Sequence, residues 1–370
     1  MRLQSLYRTP EAGGLRRKHE NRLRTQRSPT WSRRPLKFSP YGPEAAFALQ
    51  AVRTASRFVR HIQRNMVVPS MAKDDASPVT VADFASQAII AAMLEQTFPA
   101  DPLVAEEGSE ALQGANGAQT LKSVVDFVKL LRPAVDTRAI CAWVDRGKAA
   151  PADRFWVLDP IDGTKGFLRG DHYAVALALV CSGQVVVGAL GCPGLDPLEG
   201  SAAAGSAYLA VRGQGTWAAD LDAGNLAQVH VSGRADPRQA RLLRSFEASH
   251  TDEGQLDRLA SALGCLAPPE RMDSQAKYAV MASGKADMLF RLISPARPDY
   301  REKIWDQAAG SIIVEEAGGR VTDLEGKALD FTPGRELVKN TGVLASNGAL
   351  HDAALRALEE VGAVDGQRMA

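Results

Sequence analysis

The sequence predicts an α/β protein whose N-terminal half is of α+β type and whose C-terminal half is of α/β type. Two helical patterns come first, and apolar runs separated by short turns then follow between residues 155 and 218. Runs of this kind are typical of an antiparallel sheet. Beyond residue 228, strand patterns and helix patterns alternate, as they do in layered α/β folds.

The pattern of apolar residues predicts the individual elements in chain order. Strands are predicted at 102–105, 155–158, 173–181, 184–191, 206–211, 216–218, 228–232, 241–246, 270–273, 287–292 and 343–346, and helices at 43–66, 84–98, 121–131, 252–263, 275–283, 301–317 and 351–361. The segment 109–153 has a weak pattern around one helix. We expect an inserted, partly mobile segment there, either an active-site lid or a decoration.

The first 44 residues form a basic arm that differs from the rest of the chain. They hold 11 of the 44 Lys and Arg residues but 3 of the 43 acidic ones, which leaves 33 basic and 40 acidic residues beyond them. An Arg-rich, acid-poor arm is typical of an organellar transit peptide, although a disordered arm that touches nucleic acid has the same composition. We expect two domains after the arm, at 45–225 and 226–370.

The acidic body suits a cation-dependent enzyme better than a nucleic-acid binder. No apolar run approaches the length of a membrane span, so we expect no membrane partner. The cysteines Cys141, Cys181, Cys192 and Cys265 have no zinc-type spacing. Cys181 and Cys192 flank a predicted hairpin, where either a redox-sensitive pair or two buried free thiols would fit.

The hexapeptide Asp159-Pro-Ile-Asp-Gly-Thr164 directly follows an apolar run. Two Asp side chains and the carbonyl of Ile161 are oxygen ligands of the kind that Mg²⁺ prefers. The amides of Gly163 and Thr164 can hold a phosphate oxygen. Asp-Pro and Asp-Gly taken singly mark turns, but the whole hexapeptide after a buried strand predicts a metal and phosphate site.

Two more acidic positions lie near predicted element ends upstream. Thr80 and Asp83 have the spacing of a helix capping box, so the local pattern alone indicates that Asp83 caps a helix. Glu106 and Glu107 end the strand at 102–105, although paired glutamates are usually solvated. Because ligand sites gather at the carboxyl ends of strands, we expect Glu106 to meet the hexapeptide.

The C-terminal half adds a further acid and several basic or polar residues. Asp306 lies near the start of a predicted helix, where an acid also suits the helix dipole. A second anion pocket is predicted from four residues: His250, Ser274, Lys277 and Arg291. Single basic residues are usually solvated, so the sequence supports this pocket weakly.

Three separated motifs resemble the inositol-monophosphatase-like, lithium-sensitive, metal-dependent sugar phosphatases. They are the hexapeptide, Glu106-Glu107 and Trp305-Asp-Gln-Ala-Ala-Gly310. Within that superfamily, 73–83, 166–170, 273–278 and 300–306 are similar to the 3′(2′),5′-bisphosphate nucleotidases of plant and algal type. The resemblance covers roughly residues 45 to 361 and implies their layered α-β-α-β-α fold. Gln307 departs from it, since many relatives have His there.

The resemblance implies roles for the residues named above. Glu106, Asp159, Asp162, Asp306 and the carbonyl of Ile161 would hold two or three Mg²⁺ ions, and Asp83 with Thr164 would orient and deprotonate the attacking water. Gly163 and Thr164 would bind the scissile phosphate. His250, Ser274, Lys277, Arg291 and Asp306 would place the substrate.

The implied reaction converts adenosine 3′,5′-bisphosphate to AMP and phosphate. Inhibition by Li⁺, activity on 3′-phosphoadenylylsulfate and a place in sulfur assimilation are further expectations. We expect a monomer that binds no nucleic acid, in a chloroplast or mitochondrion, or in the cytoplasm if the arm is no transit peptide. Two alternatives stay open: an inositol polyphosphate 1-phosphatase or inositol monophosphatase, and a catalytically weak bisphosphate sensor.

Overall fold

The helices and strands come from a computed structural model, which describes residues 38–65, 70–72, 78–114, 117–195, 205–222, 225–245, 253–294 and 297–363. Its helices are α1 (Gly42–Asn65), α2 (Val81–Thr97), α3 (Glu110–Gln113), α4 (Ala118–Val128), α5 (Thr137–Asp145), α6 (Thr164–Arg169), α7 (Glu253–Ala262), α8 (Ala276–Ala282), α9 (Ala308–Glu316) and α10 (His351–Glu360). Most of the basic arm lies outside these ranges, so its targeting role stays a prediction.

The strands form two main sheets and one short hairpin. They are β1 (Ser70–Ala72), β2 (Pro78–Thr80), β3 (Leu103–Ala105), β4 (Arg154–Asp162), β5 (Ala174–Cys181), β6 (Gln184–Cys192), β7 (Ser206–Val211), β8 (Thr216–Asp220), β9 (Ala227–Val229), β10 (Leu242–Arg244), β11 (Glu270–Arg271), β12 (Met288–Arg291), β13 (Arg320–Thr322) and β14 (Val343–Ser346). β3 to β9 form a seven-stranded sheet in sequence order, and the five-stranded sheet has the order β11-β10-β12-β14-β13.

The seven-stranded sheet is buried on both faces, which explains its continuous apolar runs. Trp156 and Leu158 pack in one core with α1 and α2, whereas Phe155 and Val157 pack in another with α8 and α9. Successive side chains of a strand point to opposite faces, so β4 serves both cores. On the five-stranded sheet, α7 and α10 cover the other face. The result is the α-β-α-β-α layering that the resemblance implied.

The antiparallel part of the large sheet confirms the predicted hairpins at 182–183 and 212–215. The strand predicted at 228–232 is shorter and is β9, which pairs with β8 at the end of the seven-stranded sheet. It therefore does not begin the second sheet. The division of the chain near residue 225 stays a prediction.

The segment 109–153 differs from the prediction of one helix in a partly mobile insertion. Its described part holds α3, α4 and α5, and these helices pack against α2. Asp145 accepts hydrogen bonds from the N–H of Ser109 (2.9 Å) and from its hydroxyl (2.7 Å), which ties the two ends together. The segment is a packed buttress of the large sheet.

The alternative that Cys181 and Cys192 form a redox-sensitive pair is wrong. Cys181 pairs with Gln184 beside the hairpin turn, whereas Cys192 ends β6 eight residues further on. At about 3.4 Å a residue, the two thiols lie roughly 25 Å apart, far beyond disulfide reach. Both are free thiols. Among the described helices, none combines the length and the hydropathy that a membrane crossing requires.

The small residues of α9 allow close packing, as their sequence indicated. A Cβ atom added to Gly310 would lie 2.1 Å from Cδ2 of the buried Tyr278. Gly310→Ala is therefore expected to lower the free energy of unfolding by about 1–3 kcal/mol, because the ring has to move in a packed core. Urea unfolding measures the change.

Gly233→Ala is the matched control, since no atom beyond its own chain neighbours lies within 4 Å of its added Cβ. We expect its free energy of unfolding to stay within about 0.5 kcal/mol of wild type or to rise slightly. An equal loss in both variants would contradict the packing argument.

Candidate active site

The candidate site begins at the end of β3, beside the last residues of β4. The two strands are parallel neighbours, with Ala105 paired to Leu158, so Glu106 and Asp159 follow that pair side by side. The N–H of Glu106 also donates to the carbonyl of Leu158 at 3.3 Å. The meeting of these two strand ends was predicted from sequence. It brings acids from two distant segments to one edge of the sheet.

The hexapeptide forms the last four residues of β4, which extends to Asp162 beyond the predicted end at 158, and the start of α6. Its aspartates are held by main-chain donors: Asp159 Oδ1 accepts from the N–H of Ile161 (3.1 Å), and Asp162 Oδ2 accepts from the N–H of Gln275 (2.7 Å). Gly163 has φ of 87°, and an added Cβ would lie 2.9 Å from that of Ser274. Only glycine suits both this backbone and this approach. The turn is thus held by the residues just before α8 as well as by its own strand.

Asp83 has both of the roles that its sequence left open. Its Oδ2 accepts from the N–H of Thr80 (2.8 Å) and from the Thr80 hydroxyl (2.6 Å), which confirms the capping box of α2. Its Oδ1 accepts from the Thr164 hydroxyl at 3.2 Å. Asp83 is fully buried. The cap therefore fixes a carboxylate behind the first residue of α6, where it contacts the predicted phosphate-binding turn.

The segment that carries Glu106 is held by hydrogen bonds from Gln87 of α2. The Gln87 amide donates to the carbonyls of Glu107 (2.7 Å) and Val144 (2.8 Å), and its Oε1 accepts from the N–H of Glu107 (3.1 Å). Val144 belongs to α5, so the buttress 109–153 supports this acidic segment. Sequence reasoning missed Gln87, because a buried amide within an apolar helix has no local pattern.

Asp306 lies before the helix that was predicted to contain it. Ile304–Asp306 form a 3₁₀ turn, and α9 begins at Ala308. The Gln275 amide donates to the carbonyl of Trp305 (2.9 Å), and its Oε1 accepts from the N–H of Gly310 (3.0 Å). The predicted start at residue 301 is therefore wrong. Contacts with Gln275, just before α8, set the start of this helix, and sequence patterns do not show them.

Arg291 is placed by a buried acid that sequence reasoning left without a role. Its Nη2 lies 2.7 Å from Glu302 Oε2 and 3.7 Å from Asp306 Oδ2. Glu302 Oε2 also accepts from the Gln307 amide at 2.7 Å, and Gln307 Oε1 accepts from the Tyr278 hydroxyl. Gln307, the departure from the family pattern, thus orients Glu302. Glu302 stood within the motif 300–306, so that motif was its signal.

Lys277 is a buried cation on the same side of the site. Its Nζ donates to the Ser245 hydroxyl (3.1 Å) and to the carbonyl of Met272 (3.2 Å). Burial, and then the charge of Arg291, lower the pKa of Lys277 to about 8. Ser274 adopts a left-handed backbone (φ 67°) just before α8. His250 lies outside the described residues, so its predicted role is not tested.

One cavity of about 180 Å³ joins these groups. It is lined by Glu106, Asp159, Ile161, Asp162, Gly163, Thr164, Lys165, Gly166, Ser245, Asp273, Ser274, Lys277, Arg291 and Asp306. Asp83 lies behind Thr164. Sequence reasoning missed Lys165, Gly166, Ser245 and Asp273 as lining residues, although Gly166 and Asp273 begin the motifs 166–170 and 273–278.

Comparison with known proteins agrees with this geometry. The family model described as "Inositol monophosphatase family" matches residues 43–363. The chain belongs to the inositol monophosphatase family. The 3′(2′),5′-bisphosphate nucleotidase of Oryza sativa is 39% identical, over 87% of this chain and 95% of the relative. The enzyme of that name from Schizosaccharomyces pombe is 38% identical, over 88% of this chain and 97% of the relative.

Solved structures share the fold. The extragenic suppressor protein suhB of Bartonella henselae matches with a TM-score of 0.60 and 22% identity, over 85% of this chain and 98% of that one. CysQ of Bacteroides thetaiotaomicron matches with a TM-score of 0.53 and 20% identity, over 82% of this chain and 96% of that one. These structures confirm the layered fold, and the curated relatives confirm the resemblance to the bisphosphate nucleotidases.

Enzymes of the inositol monophosphatase family depend on metal ions, so the site was tested for its fit to a cation. In the described ranges, no three His, Cys, Asp or Glu side chains are gathered tightly enough to form a metal site alone. Mg²⁺ does not need such a cage, because it keeps several waters and uses one or two carboxylates with substrate phosphates. The oxygen donors on the cavity wall satisfy that requirement.

The charges of the site also favour a cation. Burial raises the pKa of Asp306 well above its usual range, the carboxylates of Asp162, Glu302 and Glu106 raise it further, and Arg291 opposes them. Burial likewise raises the pKa of Asp162, against the opposing charges of Lys277 and Arg291. A divalent cation would relieve this repulsion between neighbouring acids. The residues present therefore fit the metal that the family uses.

Proposed function

We propose that this chain is a Mg²⁺-dependent phosphatase that removes the 3′-phosphate of adenosine 3′,5′-bisphosphate, leaving AMP. The observation that carries the proposal is that one cavity is lined by two kinds of group, an acidic turn and a basic pair. The turn Asp159–Thr164 supplies carboxylates and helix-start amides, and Lys277 with Arg291 supplies positive charge. A cavity for a monophosphate has no need of that second, basic group. The curated relatives named bisphosphate nucleotidases support the same substrate.

The two kinds of group divide the substrate between them. The scissile phosphate contacts the amides of Gly163 and Thr164, because the first N–H groups of a helix have no helical acceptor. The phosphate that is retained contacts Lys277 and Arg291, since charge-assisted hydrogen bonds to a phosphate are strong and directional. Glu302 fixes the Arg291 guanidinium for this contact, because one of its Nη atoms is paired with that buried acid.

Asp83 and Thr164 act on the attacking water. The Thr164 hydroxyl donates to Asp83 Oδ1, so its lone pairs are available to orient a water in front of it. Asp83 then receives the proton through Thr164. Glu106, Asp159, Asp162, Asp306 and the carbonyl of Ile161 would hold two or three Mg²⁺ ions. Such ions lower the pKa of water and neutralise phosphate charge.

Lys277→Met tests the assignment of the basic group. We expect the KM for adenosine 3′,5′-bisphosphate to rise about 10- to 100-fold, because one charge-assisted hydrogen bond contributes about 1.5–3 kcal/mol. The KM for 3′-AMP, which lacks the retained phosphate, should change less than about threefold. Phosphate release at saturating Mg²⁺ measures both values.

The exposed Lys285→Met is the matched control, and both KM values should stay at wild type. Equal losses on both substrates in Lys277→Met would overturn the division of the cavity, because Lys277 would then act on the scissile phosphate or on the fold.

The lowered pKa of Lys277 predicts a pH dependence. With a pKa of about 8, Lys277 loses its charge as the pH rises through that value. We expect kcat/KM for the bisphosphate to fall above pH 8, and Lys277→Arg to move this decline to higher pH. The unfolded chain keeps this proton up to its ordinary pKa of 10.5, whereas the folded state releases it near pH 8. The free energy of unfolding should therefore rise with pH between about 8 and 10.5. A decline that is unchanged in Lys277→Arg would contradict the assignment.

A further inference from the structure

Arg335 makes an unusual set of contacts near the site. Its Nη1 donates to the carbonyl of Gly147 at 3.0 Å, and its Nη2 donates to the carbonyl of Ala105. The guanidinium carbon also lies 4.8 Å from the ring centroid of Trp305. All three partners come from segments that are distant in sequence. The motifs that indicated the site do not include Arg335.

The charge of Arg335 has no acidic partner within the described ranges. Burial lowers the pKa of this guanidinium, and no carboxylate raises it. A partly buried cation that donates to neutral carbonyls costs desolvation free energy that no ion pair offsets.

The contacts of Arg335 lie directly beside two of the proposed cation ligands. Ala105 precedes Glu106, and Trp305 precedes Asp306. The main chain of Arg335 adds to the link, because its carbonyl accepts from the N–H of Ile304 at 3.1 Å. The Gly147 carbonyl also accepts from the N–H of Ala105 at 2.8 Å, so the segment before Glu106 is held by two partners. One side chain thus bridges the acid that follows β3 and the acid that precedes α9.

We propose that Arg335 is a positioning residue that sets the separation of Glu106 and Asp306 and thereby the affinity for Mg²⁺. The inference rests on the cation site of the proposed function. Arg335 does not line the cavity, so it acts through the two segments and not on the substrate.

Only arginine suits these contacts. Its planar fork donates to two carbonyls at once while its face stacks on an indole ring. Lysine offers a compact charge without the fork, and methionine keeps the apolar stem without a donor. Arg335→Lys therefore keeps the charge but loses the bridge, and Arg335→Met removes both.

The test is calorimetric titration of Mg²⁺ into the full chain, without substrate. We expect the Kd for Mg²⁺ to rise about 10- to 100-fold in Arg335→Lys and Arg335→Met, the range found for residues that orient metal ligands. At saturating Mg²⁺, the KM for adenosine 3′,5′-bisphosphate should stay within about threefold. A Kd for Mg²⁺ within twofold of wild type in Arg335→Lys would overturn the proposal, whatever its thermal stability.

Arg212→Lys is the matched control. The Arg212 guanidinium also donates twice to a main-chain carbonyl, that of Val185 at 3.1 and 2.9 Å, away from the cavity. Its loss should leave the Kd for Mg²⁺ unchanged, and an equal rise in both variants would overturn the proposal. The titration uses no phosphate ester. A weaker Kd in Arg335→Lys therefore supports the inference even if the wild type hydrolyses another phosphate, which would refute the proposed substrate alone.

Discussion

Asp159→Asn is expected to reduce phosphate release by about 10³-fold or more at every Mg²⁺ concentration. Asp159 lies within β4, one residue beyond the parallel pair of Ala105 and Leu158, and Glu106 has the equivalent position after Ala105. Removing its charge takes away several kcal/mol of transition-state stabilisation, because the cations of the site would lose a ligand that holds them. Turnover of adenosine 3′,5′-bisphosphate, measured across a Mg²⁺ series, gives the result.

The fold should survive this substitution. Asn is close to Asp in shape, and its Oδ1 can still accept the hydrogen bond of 3.1 Å from the Ile161 N–H. Asp352→Asn, at a side chain that is 75% exposed and paired with Arg320, is the control and should leave turnover unchanged. Wild-type turnover in Asp159→Asn, at any Mg²⁺ concentration, would refute its role as a ligand.

Asp83→Asn and Thr164→Val are expected to have the second largest effect, each lowering kcat by about 10²- to 10⁴-fold. That is the range for loss of a positioned proton acceptor. The two groups share one hydrogen bond of 3.2 Å, so they should act as a unit. The double variant should therefore be little worse than either single variant. Single-turnover phosphate release measures all three.

Thr164→Ser keeps the hydroxyl and should retain activity within about tenfold, which separates loss of the oxygen from loss of the methyl group. Asp83→Asn also weakens the cap of α2, which costs about 0.5–2 kcal/mol, so its Tm should be measured beside its rate. Fully additive losses in the double variant would contradict a shared role in proton transfer.

The sequence was sufficient to predict where the main elements of the site meet. Strand ends that carry acids are visible as apolar runs followed by Glu106 and Asp159, and parallel pairing then places them together. The capping box of Thr80 and Asp83 is also a local pattern. Local patterns did not show that one carboxylate both caps a helix and contacts Thr164. That second contact depends on how close the start of α6 lies to the start of α2 in the folded chain.

The features that sequence reasoning missed depend on tertiary contacts. The 3₁₀ turn before α9 is held by a hydrogen bond from Gln275, which is distant in the chain. The spacing of apolar residues does not predict a hydrogen bond of this kind. The buttress 109–153 has a cap at Asp136, whose side chain accepts from the N–H of Ala139 at 2.8 Å, yet its short helices gave a weak pattern. β13 has three residues, too few for alternation to be detected.

The central claim is that this member of the inositol monophosphatase family acts on a nucleotide bisphosphate. The most direct measurement is kcat/KM of the full chain, in Mg²⁺, for adenosine 3′,5′-bisphosphate, inositol 1,4-bisphosphate and inositol 1-phosphate. We expect the nucleotide to be preferred by at least about tenfold, with AMP as its product. A preference for either inositol phosphate, or tight binding of the nucleotide without phosphate release, would contradict the account.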